Sequence, residues 1–109
     1  MEKRERVFDD GINYVAILVS YGFGAGWSTW NGDHEDILFD PNIVDMLQPD
    51  KRDYKAITEY CEKTYKDAYF GGLDGLEVVW IPKGKKFRIT EYDGSENVEL
   101  MENISWITA

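Results

Sequence analysis

The sequence predicts a single α+β domain over residues 1–109: a mainly antiparallel sheet with one or two helices packed on one face. Three observations carry that expectation. Residues 12–21 are the most hydrophobic stretch and are apolar on both faces of a strand. Residues 53–68 repeat apolar side chains at helical spacing. Residues 76–101 alternate or run apolar in short segments separated by turn dipeptides. Strands at both ends with helices between them suit an antiparallel sheet covered on one side.

In chain order, residues 1–10 carry mixed charge without a clear period and read as a frayed end or a first edge strand. Asp10-Gly11 is a turn signal. In the strand 12–21, Val15, Ile17 and Val19 point one way and Tyr14, Ala16 and Leu18 the other, which makes it central. Gly22, Gly24 and Gly26 then break regular structure with a bulge, bend or wide turn. Residues 27–30 (WSTW) suit a resumed extended strand, because Trp and Thr fit a pleated surface. Asn31-Gly32 is a turn. Asp40-Pro41 reads as N-cap and first position of a short helix that turns Ile43, Val44, Met46 and Leu47 inward and stops before Pro49.

The longest helix, 53–68, places Tyr54, Ile57, Cys61, Tyr65 and Ala68 on one face, with Tyr60 alongside. Glu59–Lys63 and Glu62–Lys66 form supporting i,i+4 pairs on the other. Gly71 or Gly72 supplies its left-handed cap. Strands are expected at 76–82 and 87–92, joined by a turn at 83–86, with Asp93-Gly94 turning the second into a return strand at 97–101. Residues 104–107 make a last short extension.

One domain's length and 43% hydrophobic content supply a real core. No apolar run approaches the roughly 20 residues of a membrane-spanning helix, and the first residues lack the apolar core of a signal peptide. The lone Cys61 cannot form an internal disulfide and is compatible with a reducing cytoplasm. The net charge is −9. Residues 7–50 hold eight acids and no Lys or Arg, and residues 89–109 hold five acids and again no base. Such a chain repels nucleic acid, which needs a basic stripe, and is attracted to a basic protein surface. Acidic faces also simply keep a small protein in solution, and composition alone leaves that reading open.

The nine residues 22–30 concentrate three glycines and two of the four tryptophans. They make either a tightly folded corner of the core or the lip of a binding site. GFGAG lacks the third glycine spacing of a dinucleotide fingerprint and a helix to follow, and no Walker loop is present. Asp33, His34, Glu35, Asp36 and Asp40 gather oxygen donors at spacing that matches no EF-hand, and one histidine excludes the usual zinc sets. A fold could pair His34 with Cys61, but Cys61 lies on an apolar helix stripe, and Ser20, Ser28 and Thr29 lack a nucleophile-elbow context. No catalytic residue, metal or cofactor is expected.

The segment YGFGAGWSTWN (21–31) resembles the Gly-aromatic-Gly-Ala-Gly-Trp-Ser-Thr-Trp signature of small uncharacterised proteins from bacteriophages and related mobile elements. FRITEYDGSENVEL (87–100) is similar to a Tyr-Asp-Gly-Ser hairpin of the same group. Together they cover about a quarter of the chain, and no active site transfers with them. The resemblance implies a phage or prophage product acting in the bacterial cytoplasm, where small acidic proteins often occupy a basic surface of a host enzyme or defence complex.

The expected function is therefore binding and modulation or inhibition of a bacterial host protein with a basic surface, without direct nucleic-acid or membrane binding. The alternative is a small-ligand or nucleotide binder using the Gly/Trp corner. The expected contact surface spans residues 21–36, with Tyr21, Phe23, Trp27 and Trp30 as anchors and Asp33, Glu35 and Asp36 as an acidic rim. A competing reading places both tryptophans, Trp27 above all, in the core. The acidic hairpin carrying Glu91, Asp93, Glu96 and Glu99 is the next candidate face.

Overall fold

In the computed structural model, which describes residues 2–101, the strand β2 (Asn13–Ser20) is flanked on both sides by antiparallel partners. These are the edge strand β1 (Glu5–Val7) and the strand β3 (Leu76–Pro82), which pairs with β2 from Tyr14↔Pro82 to Ser20↔Leu76. The period-2 alternation of β2 sends its side chains to two separate cores. Ala16 and Leu18 face the helices; Ile17 and Val19 face the opposite way, and all four are fully buried. At roughly 1.5–3 kcal/mol for each fully buried large aliphatic side chain, this one strand supplies a substantial share of the driving force for folding.

The first core joins Ala16 and Leu18 to Ile43, Val44 and Leu47 around α1 (Pro41–Met46), and to Ile57 and Cys61 of α2 (Tyr54–Thr64). Asp40 caps α1 as its position before Pro41 predicts: its Oδ1 accepts from the amides of Asn42 (2.8 Å) and Ile43 (3.1 Å). Asp53 caps α2 by accepting from the Ala56 amide (3.1 Å). The second core packs Ile17, Val19 and Ile81 against Phe87 and Ile89 of β4 (Phe87–Tyr92) and Val98 of β5 (Ser95–Leu100). The antiparallel strands thus form two sheets, of three strands and two, and the result is an α+β domain with helices on one face of the larger sheet and a hairpin on the other. Asp93 (φ 51°) and Gly94 (φ 87°) both take the left-handed backbone that a tight two-residue hairpin turn requires.

Three local expectations are overturned. Residues 27–30 do not resume a strand; Ser28–Trp30 form a 3₁₀ turn. The amides of Trp27 and Thr29 converge on one carboxylate, that of Glu96, which a straight strand would not allow. The long helix ends at Thr64 rather than Ala68. Tyr65 leaves helical geometry (φ −119°, ψ 75°) with its hydroxyl bonded to Asp40, and Asp67 (φ 68°), not a glycine, takes the left-handed position. Tyr54, expected inward, lies at the exposed start of α2. The extension at 104–107 lies outside the described residues.

Candidate interaction surface

The Gly-Trp corner is built around Glu96, a fully buried carboxylate on β5. Its Oε1 accepts from the Ser20 amide (2.9 Å) at the end of β2. Its Oε2 accepts from the amides of Trp27 (2.8 Å) and Thr29 (3.1 Å) and from the Thr29 hydroxyl (2.5 Å). Four donors to one buried carboxylate replace the water it loses, as a buried charge requires. They also tie the hairpin to the loop that follows β2.

A second polar bridge closes the corner from the other side. The Asn31 amide nitrogen donates to the Trp27 carbonyl (2.8 Å) and the Tyr69 carbonyl (2.9 Å), and its oxygen accepts from the Tyr69 amide (2.7 Å). The glycines serve close backbone approach. A Cβ on Gly94 would sit 2.2 Å from the Ala25 nitrogen, and one on Gly72 would sit 2.5 Å from the Gly26 carbonyl oxygen.

This scaffold sorts the expected anchors. Trp27 has no exposed surface; its indole N–H donates to the Ile37 carbonyl (3.0 Å) and its ring lies 6.1 Å from Phe70. Its assignment as a partner contact is corrected: it is core. Tyr21 (44% exposed), Phe23 (76%) and Trp30 (41%) do reach the surface. Two further aromatics join them that sequence reasoning missed. Tyr69 stacks on Trp30 at 5.5 Å, and Tyr92 at the hairpin tip is 78% exposed. The segments bearing these rings are fastened together: the Gly24 amide donates to the Asp93 carbonyl (2.7 Å), the Ser95 hydroxyl to the Tyr21 carbonyl (3.1 Å), and the Trp30 indole N–H to Glu91 (3.2 Å). The only sequence signal for Tyr69 and Tyr92 was a large ring beside a turn, which is too common to single them out.

Asp33, Glu35 and Asp36 are exposed, next to Trp30 through a turn closed by the His34 amide on the Asn31 carbonyl (2.9 Å). With Thr64 and Tyr65 they line an open recess of about 630 Å³. The hairpin lies against the loop that leads into the 33–36 rim: Glu91 accepts from the Trp30 indole and the Asp93 carbonyl from the Gly24 amide. Glu96 leaves the candidate face because it is buried, and Glu99 is paired with Arg88 (2.6 Å).

The other candidate chemistry is dispersed. Cys61 is closed from solvent, and burial, with the nearby Asp40 carboxylate, pushes its thiol up to about 12, so it stays protonated at neutral pH. His34 instead sets its ring edge-on to Tyr65 at 5.6 Å. Asp40, in the acidic stretch, is buried and accepts from the hydroxyls of Tyr60 (2.8 Å) and Tyr65 as well as its helix amides. Burial and those bonds to Asp40 hold both tyrosine hydroxyls above the ordinary phenol range, so they are harder to ionise. Among the described residues, no group of three or more His, Cys, Asp and Glu side chains is placed to hold a metal ion. No helix among them is long and apolar enough to cross a membrane.

Fold and site together define a small acidic α+β domain that presents an aromatic patch on a rigid, hydrogen-bonded base. Comparison with family models, curated proteins and solved structures finds no match. Function is therefore read from the surface itself.

Proposed function

We propose that this protein binds a basic surface of a bacterial host protein, in the bacterial cytoplasm, and modulates or inhibits it in the manner of a phage takeover or anti-defence factor. The observation that carries the reading is that Tyr21, Phe23 and the stacked pair Trp30–Tyr69 are exposed on segments fastened to the hairpin that bears Glu91, Tyr92 and Asp93, with Asp33, Glu35 and Asp36 following Trp30 in the same loop. Interface energy concentrates in a few aromatic anchors, and surrounding charges steer the approach. The open acidic recess at 32–36 suits an incoming Lys or Arg side chain. The resemblance of 21–31 and 87–100 to phage proteins adds the biological setting, and both stretches contribute to this surface. No catalytic group or cofactor is needed for the activity.

The alternative, a small-ligand or nucleotide binder in the Gly/Trp corner, has less support. The amides of Gly24 and Trp27, which a phosphate would need, already donate to Asp93 and Glu96. A phosphate there would also face the Glu96 carboxylate.

The test is capture from bacterial lysate with mass-spectrometric identification, followed by binding of the purified partner. Phe23→Ala with Tyr92→Ala should weaken binding by about 2 kcal/mol or more, the loss typical of truncated anchors. Lys55→Ala on the far side of α2 should leave it unchanged. Wild-type affinity in the double aromatic variant, or a clear tryptophan-fluorescence response to a nucleotide panel without a protein partner, would overturn the proposal.

A further inference from the structure

The second core is open at one end. The β4–β5 hairpin packs Ile89 and Val98 into the core with Val19, but the face of β2 and β3 runs on past Phe87, where β4 begins. A pocket of about 310 Å³ remains there. Its floor is Val15, Ile17 and Ile81, and Phe39 and Phe87, 6.4 Å apart and edge to face, stand at its side. That volume lies at the small end of the roughly 300–1,000 Å³ typical of ligand pockets.

Its rim is the reverse of the rest of the molecule. In a chain of net charge −9, Lys3, Lys83 and Lys85 stand together at this opening. Lys3 sits over the Phe39 ring, its ammonium 4.3 Å from the centroid. Lys83 is partly neutralised by Glu5 at 2.9 Å. Lys85 is exposed and makes no ion pair among the described residues. The Lys83–Lys85 turn is fixed by the Lys83 amide on the Asn13 carbonyl (2.9 Å) and the Lys85 amide on the Pro82 carbonyl (3.0 Å). Among the described residues Lys3 and Lys85 make no direct ion pair, although Glu5, which also lines the pocket, lies near enough to Lys3 to feel its charge.

We infer that this pocket binds a free single-chain carboxylate, its hydrocarbon tail against Val15, Ile17 and Ile81 and its head on Lys3 and Lys85. An apolar cavity with a cationic lip favours an amphiphile with one anionic end, since the tail gains burial and the head gains charge without being desolvated. The site is separate from the aromatic and acidic surface, and the inference does not depend on the partner proposed for that surface.

The test uses the full chain with isoleucine methyl groups labelled, titrated with octanoate, 1-octanol and octyltrimethylammonium, which share a tail and differ in the head. Octanoate should shift the Ile17 and Ile81 methyl signals saturably, and the neutral and cationic probes should bind about tenfold more weakly. Lys3→Glu with Lys85→Glu, both exposed, should reduce octanoate affinity by about tenfold and leave 1-octanol unchanged. Val15→Phe, which narrows the cavity, should weaken all three probes. Equal binding of the three heads, no saturable shift at these methyls, or methyl contacts from elsewhere in the chain or a second copy in the ligand-free protein would each overturn the assignment.

Discussion

Glu96 shows how a single side chain can decide the shape of a distant loop. It holds Ser20, Trp27 and Thr29 through four hydrogen bonds and makes no ion pair among the described residues. Glu96→Gln keeps the size but replaces one acceptor with an NH₂ group that must face a donor N–H. A charge-assisted hydrogen bond lost and a donor left unsatisfied should cost about 2–3 kcal/mol. In a domain of this length that lowers the melting temperature by roughly 10 °C, read by thermal unfolding; an unchanged transition would contradict the role given to Glu96. Cys61 makes a second prediction. Its thiol titrates near 12 in the folded chain against an ordinary 9.0. Between those values the folded state holds more protons than the unfolded one, so stability is full below pH 9 and falls as pH rises toward 12. Urea midpoints over that alkaline range should decline more steeply for the wild type than for Cys61→Ala. The burial of Cys61 was legible from its place on the apolar stripe of α2, and the role of Glu96 was not. Glu96 occupies an alternating strand in which nothing separates a buried acid from an exposed one, and its partners lie as far as 76 residues away.

At the scale of elements, patterns that depend on neighbours in sequence were readable. The two apolar faces of β2, the Asp40-Pro41 start of α1, the bounds of β3 and β4 and the Asp93-Gly94 turn all follow from local rules. What failed was decided by tertiary bonds. Local propensity favoured strand at 27–30 and helix through Ala68, and Glu96, Asp40 and Asn31 overrode it. The candidate site was half legible: Tyr21, Phe23 and Trp30 are exposed as expected, while Tyr69 and Tyr92 arrive only through folding. Central placement of β2 makes a direct prediction. Ile17→Asp puts an unpaired carboxylate at a fully buried position in the second core, at a cost of about 3–5 kcal/mol. Loss of cooperative unfolding, or insoluble product, is expected by circular dichroism. A soluble Ile17→Asp variant with a wild-type melting curve would show that β2 is not the centre of the sheet.

Across the whole molecule, charge is partitioned. Asp33, Glu35, Asp36, Glu91 and Asp93 belong to the proposed interaction surface, while three lysines gather at the pocket between the sheets. Exposed charges act over about 8–10 Å at ordinary ionic strength and fade at high salt. Capture of the proposed partner should therefore weaken as salt rises, and Asp33→Lys with Asp36→Lys should slow association more than it hastens dissociation. Capture that is indifferent to salt and to that charge reversal would assign the binding energy to a different face.

The bond between Ser20 and Glu96 also sets an order of events. A chain made from its N-terminus exposes residues 12–32 long before Glu96 exists, so the amides of Trp27 and Thr29 spend that interval in water. Closing a loop of this length precedes any reward from the contact it makes, which slows folding relative to local helix formation. The aromatic patch is consequently among the last features to take shape during synthesis. A nascent chain lacking its hairpin would lack the Glu96 carboxylate that shapes the 21–32 loop, so the surface proposed for a partner would take form only once the hairpin has been made.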